Sequence, residues 1–248
     1  MKNKYLTNIL FLSITMLYAC EMTPTASSII AKSNEAHGTS VFEQSKVSFN
    51  FRNFGYSVER RNDEYIYTRS FQDSLGLVED SLYNSADFVR SIDGLTILVS
   101  EEMAQKYSSS INSVLYFFQI PLPLNDPAVI SNYLGRVKIK NTDYHMVEVK
   151  FSEDGGGQDF EDVYVYWINR KSNLIDFIAY SYLTEGGGVR FRQAINRRTI
   201  GELIVQDYIN YSPLDKNTPL TQLSRYFEEE KLLELSRIIN ENVQVQPF

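Results

Sequence analysis

A chain of 248 residues with 31 acidic and 24 basic side chains carries a formal charge of −7. An acidic chain without a concentrated basic stripe is unsuited to nucleic acid, whose phosphates select Lys and Arg. Its 43% apolar content can fill a core, and 17 Tyr with 15 Phe favour strands lying on a half-buried sheet.

The N-terminus indicates where the chain works. Lys2 and Lys4 form a positive segment, LTNILFLSITMLY supplies an apolar run, and Ala19-Cys20 follows. A bilayer span needs about 20 apolar residues, so this shorter run reads as a secretory signal over residues 1–19. Leu17-Tyr18-Ala19-Cys20 resembles a bacterial lipobox, in which the cysteine is acylated and becomes the mature N-terminus, although Tyr18 stands where a small residue is usual. The alternative is an ordinary signal peptide that ends at a cysteine. Cys20 is the only cysteine, so no intramolecular disulfide can form, and an exported free thiol is a liability unless modified. Residues 20–27 then form a lipidated polar tether, and residues 28–248 a single domain held to a membrane through its lipid. The expected location is the cell envelope, extracytoplasmic and most simply at the outer membrane.

Ile29, Ile30, Ser33 and Ala36 have helical spacing and stop at Gly38, so Ser28–His37 is predicted as a helix with a C-terminal glycine. From Lys46 the period changes to two, as Val47, Phe49 and Phe51 alternate with polar residues. Strands are predicted at Tyr56–Arg60, Glu64–Phe71 and Phe88–Ile92. Glu101–Tyr107 and Ile111–Phe118 read as helical, until PLPLNDP (Pro121–Pro127) breaks the pattern. A meander is predicted through Arg136–Lys140, Tyr144–Ser152, Val163–Asn169, Leu174–Leu183, Val189–Asn196 and Leu203–Tyr211. Leu220–Asn240 returns to helical spacing. The class is α+β, an antiparallel sheet with N-terminal, middle and C-terminal helices.

Two triple-glycine stretches, EDGGGQDFED from Glu153 and TEGGGVRFR from Thr184, join strands of that meander. Alternate connections of an antiparallel meander share one end, so both loops are expected at the same rim, with the NRKSN turn at the opposite one. Glycine accepts the positive φ of hairpin turns, which makes plain loops with solvated charges the simplest reading. A calcium site would need hard oxygens at a recognised spacing, and neither the EF-hand nor the calcium β-helix pattern is met. Arg190 and Arg192 sit where they would neutralise the rim acids. His37 and His145 are the only histidines, and His145 reads as a strand residue with a satisfied ring. No catalytic residue, metal ligand or cofactor is assigned.

YFFQIPLPLNDPAV, GGGQDFEDVYVYW, FIAYSYLTEGGGVRFR and IVQDYINY resemble an uncharacterised family of Gram-negative exported lipoproteins, a domain of unknown function, over nearly all of the mature chain. The hairpin YVYWINRKSNLIDFIAYSY is more distantly similar to the lipoprotein-carrier (Lol-type) fold. That resemblance implies a strongly curved antiparallel sheet, an open half-barrel wrapped around helices with an apolar concave face, and it brings no established activity. The expected function is a membrane-anchored lipoprotein that binds an apolar or lipid-like ligand in this face. Tyr164, Tyr166, Trp167, Tyr180, Tyr182, Tyr208 and Tyr211 are the candidate ligand residues. The alternatives are an envelope enzyme at the acidic rim and a structural or partner-binding protein.

Overall fold

Helix α1 runs Ala26–His37. Thr25 caps it, its hydroxyl oxygen accepting from the Ser28 N–H at 3.2 Å, so the helix starts inside the expected tether. Gly38 ends it at φ 67°, and a Cβ there would lie 2.0 Å from the Glu202 carbonyl oxygen. Only glycine satisfies both the left-handed turn and that approach. The computed structural model describes residues 23–61, 64–84, 87–155, 160–183 and 186–248. Cys20 and the signal segment lie outside these.

Among the described residues fourteen strands form two antiparallel sheets, neither closed on itself. The first contains β1 (Ser45–Phe51), β2 (Phe54–Arg61), β3 (Glu64–Asp73), β4 (Gly76–Tyr83), β5 (Asp87–Ile92), β6 (Leu95–Ile97) and, beside β1, β14 (Glu241–Pro247). The second is a meander of β7 (Val129–Ile139), β8 (Thr142–Phe151), β9 (Val163–Asn169), β10 (Ile175–Tyr182), β11 (Gly188–Ile200), β12 (Leu203–Pro213) and β13 (Leu232–Ile238). Among the described residues the remaining α-helices are α2 (Val41–Gln44), α3 (Glu101–Gln119) and α4 (Leu223–Glu228). The architecture is the expected α+β half-barrel: a curved antiparallel sheet, here in two parts, around helices.

Helix α3 lies between the two parts. Ile111 and Leu115 pack with Val47, Phe49 and Leu82 of the first sheet. One step round the helix, Tyr116 and Phe117 pack on Tyr164 and Tyr166 of the second. The β11–β12 hairpin spans both cores, since Leu203 and Val205 join the first and Tyr208 the second. The second sheet is covered on both faces. Val147, Val149, Tyr166 and Ile178 meet α1 and α3, while Val165, Trp167, Phe177 and Phe191 meet Leu223 and Phe227 of α4.

The C-terminal expectation needs correction. Of Leu220–Asn240, only Leu220–Gln222 and α4 are helical, and the chain then forms β13 and β14. Leu232, Leu233 and Leu235 favour a helix locally, but pairing Tyr208 with Ile238 and Val47 with Val245 satisfies two sheet edges. Such edge hydrogen bonds outweigh a weak local propensity.

Candidate functional site

Between α3 and the two sheets lies a cavity of about 910 Å³, partly open to solvent. Strand alternation builds its wall on the second sheet. One row across that sheet reads Val149, Tyr164, Tyr180, Arg190, and the next reads Val147, Tyr166, Ile178, Arg192, Asn210, Ser236; Tyr164, Tyr180, Arg190, Arg192, Asn210 and Ser236 reach the cavity, and the other four are buried beneath the helices. Each row is therefore apolar at β8 and polar from β11 onward. Phe117 of α3 and Phe51 and Leu82 of the first sheet complete an apolar wall opposite.

The candidate residues divide by strand parity. Tyr164, Tyr180, Tyr182 and Tyr208 line the cavity. Tyr166 shares their face but lies beneath α3, fully buried, its hydroxyl 3.0 Å from that of Tyr116. Trp167 follows Tyr166 and so points to the other face, where its ring meets Phe191 at 5.6 Å. Tyr211 is an odd number of residues from Tyr208 and also faces away, 5.8 Å from Phe227. The structure thus groups four candidates at the cavity, places a fifth behind them, and puts Trp167 and Tyr211 in the core under α4.

Burial sets the protonation of these rings. The Tyr116 and Tyr166 phenols are pushed upward, first by desolvation, and Tyr208 likewise. They are neutral hydrogen-bonding groups at physiological pH.

Residue-by-residue reading passed over the polar end of the wall. Arg190 and Arg192 face the cavity, since Val189 and Phe191 between them face α4. The Arg192 guanidinium carbon stands 3.5 Å from the Phe117 ring centroid, and its Nη2 donates to the Tyr180 hydroxyl at 2.9 Å. Among the described residues neither arginine pairs with a carboxylate, and of the rim acids they could neutralise, Asp159 and Glu185 lie outside the described residues. The visible signal was the alternation VRFR, which puts two arginines on one face.

Both glycine-rich connections lie at one end of the meander, as expected from its antiparallel order. Gly155, Asp162, Tyr182 and Arg190 bring that rim to the cavity mouth. Residues 156–159 and 184–185 lie outside the described residues, including Asp159 and Glu185. Among the described residues no three His, Cys, Asp or Glu side chains gather where a metal would be held. His145 keeps its ring in contact with Tyr133, Nδ1 lying 3.1 Å from the hydroxyl. His37, at the end of α1, is buried, and its Nε2 accepts from the Ile175 N–H at 3.1 Å.

The sequence model of DUF6503, a family of unknown function, matches residues 7–241. No curated protein matches the chain. Among solved structures, a LolA superfamily protein from Nitrosomonas europaea shares the fold at a TM-score of 0.52 and 13% identity, over 91% of this chain and 96% of that one. A DUF1329 family protein from Desulfovibrio piger overlaps at 0.42 and 8% identity, covering 90% and 93%. A putative outer membrane lipoprotein-sorting protein domain from Vibrio parahaemolyticus overlaps at 0.38 and 7%, covering 89% and 93%.

Proposed function

The chain belongs to DUF6503, a family of unknown function, and we propose that it is a lipid-anchored envelope protein that carries an apolar, lipid-like ligand in its interior cavity. The cavity itself carries the reading. At about 910 Å³ it is at the upper end of the range for small-molecule sites, and aromatic and aliphatic side chains form its inner wall. A core built only for stability packs to crystal-like density, so space of this size between two sheets and a helix is space kept for an occupant. The fold shared with a LolA superfamily protein supports a carrier in the cell envelope.

The anchor follows from Cys20. With the signal segment removed, a lipidated cysteine leaves a tether only a few residues long before Thr25 caps α1. No described helix is long and apolar enough to cross a membrane, and two or more acyl chains on Cys20 would suffice to hold the domain there.

Titration of the purified full chain with N-phenyl-1-naphthylamine, uncharged and bright only in apolar surroundings, tests the cavity. Saturable binding in the micromolar range is expected. Ile238→Glu, in the wall, should weaken it at least tenfold, while Leu233→Glu, exposed on the same strand and outside the cavity, should leave it unchanged. A well-folded, delipidated protein that binds no probe would overturn the reading.

A further inference from the structure

Among the described residues six charged side chains line the cavity: Arg52, Arg60, Arg190 and Arg192 against Asp126 and Asp162. In a chain of net charge −7, this described lining is cationic. The arginines elsewhere are mostly matched: Arg69 and Arg90 hold Asp80, Arg197 holds Asp176, Arg198 holds Asp207 and Arg237 holds Glu234. The four at the cavity make no ion pair among the described residues. They lie instead against rings, Arg52 on Phe51, Arg60 on Tyr65, Arg190 on Tyr182 and Arg192 on Phe117.

Arg192 is the innermost and the most informative. It is 8% exposed, and its Nε–H has no hydrogen-bond partner. Directly across the ladder stands Asn210, whose Oδ1 is also buried without a partner. Two adjacent side chains with unmet polar atoms on one cavity wall form an incomplete polar site. A buried donor left unmade costs more than a typical made bond returns, so such atoms are rare unless a ligand completes them. The guanidinium presents a planar fork of N–H donors, which suits the two oxygens of a carboxylate or phosphate. Turning the Asn210 amide by half a turn offers its N–H2 to the same oxyanion. Tyr180, Tyr164 and Phe117 continue the wall beside it, which is where an attached acyl chain would lie.

We infer that the cavity selects an anionic amphiphile, its oxyanion head held by Arg192 and Asn210 and its acyl chain by the aromatic wall. The inference rests on the ligand-carrier reading above and adds the charge of the ligand. Carboxylate and phosphate heads share this chemistry, and the test separates them.

The experiment is displacement of bound N-phenyl-1-naphthylamine from the full chain by palmitate, 1-palmitoyl lysophosphatidate and palmityl alcohol. At least one anion is expected to displace the probe at a concentration tenfold or more below that needed with the alcohol. The better anion identifies the head. Arg192→Met, which keeps the apolar stem, should cost that anion at least tenfold and the alcohol less than twofold. If far-UV circular dichroism shows Arg192→Met unfolded, Asn210→Leu carries the same comparison. Equal displacement by alcohol and anions, or equal losses in the variants, overturns the charged-head inference and leaves the apolar cavity standing. Absence of probe binding removes both.

Discussion

Protonating His37 should loosen α1 from the sheet it packs on. The ring is 1% exposed, at the last turn of the helix, and its Nε2 accepts from the Ile175 backbone N–H, a bond only the neutral imidazole can make there. Its pKa is lowered from 6.5 to about 3, chiefly by burial and then by Arg197, against a smaller opposing pull from Asp176. The Tyr144 hydroxyl and Arg197 both bond that same Asp176, so its charge is already engaged. With the folded value depressed, the unfolded chain takes the proton first as pH falls. The stability is whole above pH 6.5 and drains between 6.5 and about 3. One such group costs about 1.4 kcal/mol per pH unit inside that window, so roughly 3 kcal/mol is lost by about pH 4.5. For a domain of this size that is a fall of roughly 5–10 °C in Tm. Carboxylate titrations add to the raw curve, so the measurement is a difference between wild type and His37→Gln, whose side-chain oxygen still accepts from Ile175 but does not titrate. Melting followed by circular dichroism from pH 7.5 to 4.5 should show the wild type losing those extra degrees. Parallel curves for the two proteins would refute the reasoning.

Two further outcomes are expected. Asp80→Ala leaves Arg69 and Arg90 facing each other with no anion, where Asp80 is 0% and Arg69 6% exposed, so urea unfolding should show a loss of about 3–5 kcal/mol; a loss below 1 kcal/mol would mean the arginines relax into solvent. Cys20→Ser should abolish labelling by a fatty-acid analogue and move the protein to soluble extracytoplasmic fractions or stop its processing, and equal labelling of both forms would remove the anchor.

Much of the fold was legible because most strands alternate cleanly. Val47 and Phe49 of β1 and Tyr144, Val147 and Val149 of β8 stand out as strand residues, β9 and β10 as short aromatic and β-branched runs, and proline and glycine mark where such stretches end. β4 was missed for a physical reason. Its inward set is Val78, Asp80 and Leu82, and the buried carboxylate breaks the apolar alternation that would have announced a strand. Its pairing with Arg69 and Arg90 lies on two other strands, so no local window contains the explanation. β13 and β14 failed in the same way. β14 pairs with β1 at the far end of the chain and β13 with β12 across the segment that carries α4, and only those ladders, outside any local window, decide against a leucine-rich helix.

The site was half legible, and register accounts for the other half. Naming Tyr164, Tyr166, Tyr180 and Tyr182 needed only the excess of rings on β9 and β10. Deciding that Ile178, Tyr180 and Tyr182 face inward while Phe177 and Ala179 face α4 needed the pairing of Ile178 with Tyr166 and Arg192, since a slip of one residue exchanges the faces. Trp167 had the largest ring and the strongest pull as a ligand platform, yet parity with Tyr166 sends it to the closed side. The arginines followed the opposite course. Beside acidic loops they read as surface neutralisers, a reading that assumes their face is wet. Once both faces of the sheet are covered, that assumption fails. A guanidinium held on Phe117 with an unmet N–H then becomes a cost to folding, for an isolated buried charge is destabilising unless paired. Packing alone would favour an aliphatic side chain at position 192. On the ligand reading proposed above, what the fold gains from arginine there comes from the anionic head that it would hold.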